Sequence, residues 1–243
     1  METTLPPAPF HTQREDLLAL LPTSTVLKYG KGQVIYGPGR PSTCIYLVTA
    51  GTVRLSHMPD DGHELVLELI RVGELFGESG FLRVDRVAER ATAHGDANLM
   101  AWSVSSIEDL IAKKPRLAVS LLQAMAQRTA HFVHHIESLA MDNIERRLAR
   151  SLIRFSERLG TLGEDGSIRL MPLSQGLLAR HIGASREVIS SQMNQFRRLG
   201  YIDYSRSSLV LHGKALAAWT TTGPPGSELS RPERTSLSAT AAL

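Results

Sequence analysis

The stretch LSQGLLARHIGASREVISSQMNQFRRLGYI, residues 173 to 202, limits most tightly what this chain can fold into, because it reads as two short helices joined by a tight turn. Ser174 is placed to cap a first helix whose apolar Leu177, Leu178 and Ile182 fall at helical spacing, and Gly183 supplies the freedom a sharp inter-helix turn needs. Ser185 caps a second helix. Its expected buried side is Val188, Ile189, Met193, Phe196 and Leu199, with Arg186, Glu187, Ser190 and Ser191 gathered near the N-terminus on the outward side and Gln192 beside them. A recognition helix carries its base-reading residues there. Arginine can pair bidentately with guanine, a carboxylate can accept from cytosine N4, and serine is small enough to meet many base edges. A phosphate-facing helix has no use for Glu187, so that carboxylate points to base reading. An ordinary helical hairpin with a solvated charged face is the alternative these residues leave open.

With 243 residues the chain has room for two ordinary domains. Its formal charge is only +3, but arginines gather in the C-terminal half at Arg146, Arg147, Arg150, Arg154, Arg180, Arg186, Arg197, Arg198 and Arg206, as suits a polyanion partner or a solvated helix face. The single cysteine, Cys44, excludes an intramolecular disulfide and a four-thiolate iron–sulfur cluster within one chain. At the start of a strand beside Ile45 and Tyr46 it reads as a small buried hydrophobe. No run of about eighteen apolar residues offers a membrane span, and the N-terminus lacks the basic start and apolar core of a secretory signal, so a cytoplasmic protein is expected. Residues 1–19 read as a loose arm, and residues 216–243, rich in Thr, Ser, Pro and Gly, as a disordered tail.

Between these ends, residues 20–112 alternate short apolar runs with glycine turns, an all-β signature that suggests a barrel or roll. Ile45 to Val48 and Val53 to Leu55 flank the Ala50-Gly51 turn, and Asp60-Asp61-Gly62 turns the chain into Leu65 to Ile70. The period then becomes helical. Within residues 113–139, Leu122, Met125, Thr129, Phe132, Val133, Ile136 and Leu139 lie on one stripe, the seam of a coiled-coil dimer or a face packed on the strands. Residues 140–215 hold a basic amphipathic helix, the two-helix motif and a hairpin around Ser205 to Ser208, a wing from which Arg206 could meet a phosphate. His131, His134 and His135 share about one helical turn, but without a neighbouring carboxylate or cysteine a metal or haem site is not expected of them. Nothing forms a catalytic cluster, so the chain does not read as an enzyme.

The order of β-roll, long helix and winged helix-turn-helix, with GELFGES (Gly73 to Ser79), NIERRLARSLI (Asn143 to Ile153) and SREVIS (Ser185 to Ser190), resembles the CRP/FNR family of bacterial transcription regulators over about residues 20 to 215. The resemblance implies an α+β homodimer that binds double-stranded DNA at a palindromic operator and contacts RNA polymerase, each recognition helix in one major groove. It further implies that Arg186 reads guanine, Glu187 reads cytosine and Ser190 lies near a thymine. Ser191 stands where the family often has a second arginine. In cyclic-nucleotide-binding members the GELFGES segment is the phosphate-binding cassette, and Gly77, Glu78 and Ser79 match it. Counted without gaps, the arginine–serine pair of the cyclic-AMP receptor falls on Val87 and Ala88. A one-residue shift would restore Arg86, and Arg90 is close by. The adenine-facing hydroxyl positions of the dimer helix carry Phe132 and Val133. Cyclic AMP in its usual mode is therefore not expected, because a buried phosphate needs a cationic partner. A different small effector, an effector-independent regulator controlled by its abundance, and a metabolite-sensing module that binds no DNA remain as readings.

Overall fold

The computed structural model describes residues 19–60, 62–82, 88–205 and 208–222. Asp61, Arg86, Arg206, nearly all of the expected N-terminal arm and everything after residue 222 lie outside the described residues.

Among the described residues eight strands build the N-terminal domain: β1 (Val26–Tyr29), β2 (Val34–Tyr36), β3 (Cys44–Ala50), β4 (Val53–His57), β5 (Leu65–Ile70), β6 (Leu75–Phe76), β7 (Glu89–Ala93) and β8 (Ala97–Ser103). They form two antiparallel four-stranded sheets, in the orders β1-β8-β3-β6 and β2-β7-β4-β5. The Ala50-Gly51 turn therefore carries the chain from one sheet to the other, whereas β4 and β5 form a true hairpin. Tyr46 and Val48 of β3 face the space between the sheets with Phe76, Val53 and Leu99, while Ile45 and Leu47 on its other face pack with Trp102, Ile107 and Leu117. Burial on both faces explains why this strand is apolar at consecutive positions instead of alternating.

Ser103 caps α1 (Val104–Lys113), accepting from the Ser106 amide at 3.1 Å. Pro115 opens α2 (Arg116–Met141), which at 1.5 Å per residue is about 39 Å long. Asn143 caps α3 (Ile144–Leu159), accepting from the Arg146 amide at 2.9 Å. The helix-turn-helix follows as α4 (Gln175–Ile182) and α5 (Arg186–Arg198). A third antiparallel sheet, β11-β12-β10-β9, backs it, built from β9 (Thr161–Leu162), β10 (Ile168–Leu170), β11 (Ile202–Tyr204) and β12 (Leu209–Leu211).

The chain continues into α6 (Gly213–Thr222), so the expected boundary at 215 falls inside a helix. Leu216 and Trp219, three residues apart, are buried in the C-terminal core, and the Trp219 indole stands edge-on to Phe196 at 5.1 Å. Two large apolar side chains on one helical face outweigh the threonine-rich composition that suggested a tail. The same core takes in Val66 and Leu69 of β5, so the two domains are packed together through one apolar cluster.

Candidate nucleic-acid interface and effector cassette

The turn of the helix-turn-helix is made by Gly183, whose φ of 69° lies in the left-handed region; its amide and that of Ala184 both donate to the Ala179 carbonyl, at 2.9 and 3.1 Å. Ser174 and Ser185 cap as expected, accepting from the amides of Leu177 at 3.1 Å and Val188 at 3.3 Å. Leu177, Leu178, Ile182, Ile189, Met193 and Phe196 are buried. Val188 and Leu199 are not: at 37% and 43% exposed they correct the expected buried side, because one 13-residue helix packed against α4 on a narrow stripe hides only its i, i+4, i+7 row. Ser185, Arg186, Glu187 and Ser191 are exposed, and Ser190 and Gln192 half-buried, along the start of α5. Hydrogen bonding to its own amide and to Ser185 holds the Glu187 carboxyl below its ordinary value, so this helix start presents a firmly ionised acceptor beside a guanidinium. The hairpin tip closes with Ser205 donating its amide to Ser208 at 2.8 Å.

Several of the C-terminal arginines are tied to partners within the chain, although Arg150 stays exposed. Arg150 pairs with Asp142 at 3.3 Å, Arg147 donates to the carbonyls of Asp142 and Ile182 at 3.1 and 3.2 Å, and Arg180 pairs with Glu64 of the roll at 3.0 Å. These hold the molecule together. Arg186, Arg197 and Arg198 remain exposed on α5.

In the cassette, Gly77 has a φ of 93°, and a Cβ there would stand 2.5 Å from the Cys44 carbonyl oxygen, so no other residue fits without moving β3. A short 3₁₀ turn, Glu78–Leu82, follows. Its side chains already have partners from within the chain. Ser79 donates to Glu89 Oε1 at 2.9 Å, and the buried Tyr36 hydroxyl donates to the same oxygen at 2.6 Å. Burial and the neighbouring carboxylate push the Tyr36 hydroxyl far above its ordinary range, which keeps it a donor. Glu78 is ion-paired to Arg128 of α2, whose Nε also meets Glu68 at 3.1 Å and whose second terminal nitrogen donates to the Leu75 carbonyl. Arg90 does not enter. Successive strand residues point to opposite faces, so with Glu89 turned toward Ser79 the Arg90 side chain lies on the other face, covering Gly37. Phe132 is half-buried and Val133 exposed one turn beyond Arg128.

Sequence reasoning missed Tyr36, Glu68, Glu89, Arg128 and Arg158, which converge here from five elements with no local spacing to reveal them. Glu68 is 6% exposed and receives Arg128 on one side and Arg158 of α3 on the other. Arg158 also meets Glu74 at 2.8 Å, and Arg71 pairs with Glu74 at 3.0 Å and donates to the Arg158 carbonyl. Burial opposes the charge on Arg158, but Glu68 and Glu74 outweigh it and hold the guanidinium above its usual value; burial likewise opposes the Glu74 carboxylate, and Arg158 with Arg71 pulls it below.

On α2, Leu122 (66% exposed), Met125, Thr129, Val133 and Ile136 (63%) face solvent, while Phe132 and Leu139 are half-buried. Val119, Leu122, Ala126, Thr129, Val133 and Ile136 repeat at three and four residues, a continuous exposed seam. The three nearby histidines do not converge: His134 is exposed beside Glu137, and His135 stacks on His181 of α4 with ring centroids 4.5 Å apart.

Against known proteins, the family described as cyclic nucleotide-binding domain matches residues 26–114, and the Crp-like helix-turn-helix domain matches residues 146–219. The chain is 30% identical to the transcriptional regulator SdrP of Thermus thermophilus over 180 residues, covering 72% of this chain and 84% of that protein. It is 24% identical to the CRP-like cAMP-activated global transcriptional regulator of Mycobacterium tuberculosis over 184 residues, 75% of this chain and 82% of that one. The crystal structure of a CRP/FNR-family transcriptional regulator, also from Thermus thermophilus, superposes with a TM-score of 0.67 at 28% identity, covering 82% of this chain and 99% of that one. Roll, helix-turn-helix and relatives agree: the chain belongs to the CRP/FNR family of transcription regulators.

Proposed function

We propose that this regulator works as a homodimer on a two-fold-symmetric operator and that its affinity for that operator needs no cyclic nucleotide. The observation that carries the second part is the carboxylate of Glu89, which takes up the hydroxyls of Ser79 and Tyr36 where cyclic-nucleotide-binding members would seat a phosphate. Arg128, the cation that meets Glu78 of the cassette, is engaged by Glu78 and Glu68. An incoming cyclic phosphate would have to displace one carboxylate, sit beside a second, and win Arg128 from both its partners, at the cost of leaving buried charges unpaired. The Mycobacterium tuberculosis relative is described as cAMP-activated; this chain's cassette favours a regulator set by abundance or by another signal.

For DNA, Arg186 reads guanine, Glu187 reads cytosine, and Ser185, Ser190, Ser191, Gln192 and Arg206 line the groove or its phosphates. Ser191, too short for a bidentate pair, relaxes the requirement at one base pair, and such a pair contributes about 1–3 kcal/mol of discrimination. The exposed seam of α2 is the dimer contact, and by family resemblance residues 161–167, the exposed Leu162 among them, and the roll surface are the contacts for RNA polymerase.

The test is fluorescence anisotropy at one fixed salt concentration with palindromic DNAs carrying TGTGA-type or TTGAT-type half-sites, with and without cyclic AMP and cyclic GMP. Specific binding that neither nucleotide changes is expected. Binding that appears only with nucleotide would overturn the reading of the cassette.

A further inference from the structure

Where the helix-turn-helix meets the roll, a pair of stacked histidines sits that neither the DNA-facing surface nor the cassette uses. His181 of α4, buried in the domain junction, hydrogen-bonds through Nδ1 to the Val66 carbonyl of β5 at 2.9 Å. That carbonyl can only accept, so the ring carries its proton on Nδ1, and Nε2 is left as a buried lone pair with no partner. His135 of α2 lies against it with ring centroids 4.5 Å apart and has its own Nε2 buried without a partner. Phe155 of α3 closes the stack at 4.9 Å from His181. One imidazole pair thus ties the dimer helix to the helix-turn-helix, and the helix-turn-helix to the roll.

The charges around this pair are one-sided. From α3 come Arg147, Arg154 and Arg158, and one turn before His135 on α2 stands His131, which faces Arg154 and Arg158 as well. On α4 the neighbouring Arg180 is turned to Glu64. The carboxylates of the junction, Glu68 and Glu74, are occupied by Arg128, Arg158 and Arg71. A proton added to either ring would create a cation in a buried stack beside arginines, with no free carboxylate among the described residues to receive it.

We infer that docking of the DNA-binding domain on the roll is proton-sensitive, the His135–His181 pair acting as a latch that holds α4 on β5 while both rings are neutral and lets go when one is charged. Burial, with His135, Arg154 and Arg158 in support, lowers His181 to about 3, and burial with Arg154 and Arg147 lowers His135. Released into water, either ring returns toward 6.5. The released form therefore binds protons that the docked form cannot, and the ratio of docked to released chain falls about tenfold between pH 7.5 and 5.5 for one titrating ring.

Spin-label distance measurement tests this on the full chain. His57→Cys on β4 and Leu162→Cys on β9, both at exposed positions, are labelled in a Cys44→Ala background and diluted into excess unlabelled chain so that each dimer carries one labelled protomer. A single narrow distance is expected at pH 7.5, with a second, longer population growing at pH 5.5 by about tenfold in the ratio. The same experiment on His135→Phe/His181→Phe, which keeps the stack but cannot be charged, should show no pH change; if that variant does not fold, His135→Phe/His181→Gln, which can still donate to the Val66 carbonyl and carries no imidazole in the pair, takes its place. An unchanged distribution in the parent chain between the two pH values, or an equal change in the uncharged variant, would overturn the latch.

Discussion

At the scale of single residues, function rests on contrasts between neighbours. Arg186 is exposed and carries no structural duty, so Arg186→Ala is expected to weaken operator binding roughly tenfold to a hundredfold, the equivalent of about 1–3 kcal/mol, with melting temperature and dimer mass unchanged; anisotropy at fixed salt checks it. Glu89 is the opposite case. Replacing it with Ala strips the partner from the buried Tyr36 hydroxyl, which costs about 1–3 kcal/mol in urea unfolding, and opens the position that the carboxylate fills. Glu89→Ala is therefore also the variant in which a cyclic nucleotide would first find room.

At the scale of elements, the seam along α2 is the feature that a lone chain leaves unsatisfied. Ile136→Glu or Leu122→Glu puts a charge into it, and light scattering should then report a monomer while circular dichroism retains the helix content. The helices were legible in the sequence because their ends are chemically marked: Ser174 and Ser185 are read as caps by type and position, and both accept the expected amide. The roll was legible as strands and turns, but not as two sheets, because pairing β3 with β8 across about fifty residues leaves no local trace. In the cassette, Gly77 and Glu78 could be found by their motif. Glu89 and Arg90 could not be told apart, since which of two adjacent residues points inward depends on the register of β7 against β4. His181 occupies a buried helix position that apolar periodicity would assign to Leu or Ile, and its partner Val66 is 115 residues away.

For the molecule as a whole, the junction makes stability depend on acid. The folded chain holds His181 near 3 against 6.5 when unfolded, so as pH falls below about 6.5 the unfolded chain takes up protons first. This contribution is complete above that value and is lost progressively on acidification; Glu74, held below 4.5, adds a further loss at lower pH. The melting temperature is expected to drop from pH 7.5 to 5.0, and His181→Gln should flatten that slope. Operator affinity should also fall steeply with salt, with log K linear in log salt concentration, because phosphate contacts release counterions. A flat salt response would be incompatible with a phosphate-tracking interface.

The burial of Trp219 has a practical side. The chain has two tryptophans, and each domain owns one: Trp102 in the roll, its indole donating to the Pro22 carbonyl at 3.1 Å, and Trp219 in α6, packed dry against Phe196. Nature has supplied a separate optical reporter for each half. Trp102→Phe leaves a fluorophore that watches only the DNA-binding domain, and Trp219→Phe one that watches only the roll. Because α6 holds the second of these, any shortened protein meant to retain the DNA-binding half has to keep the sequence through Thr222.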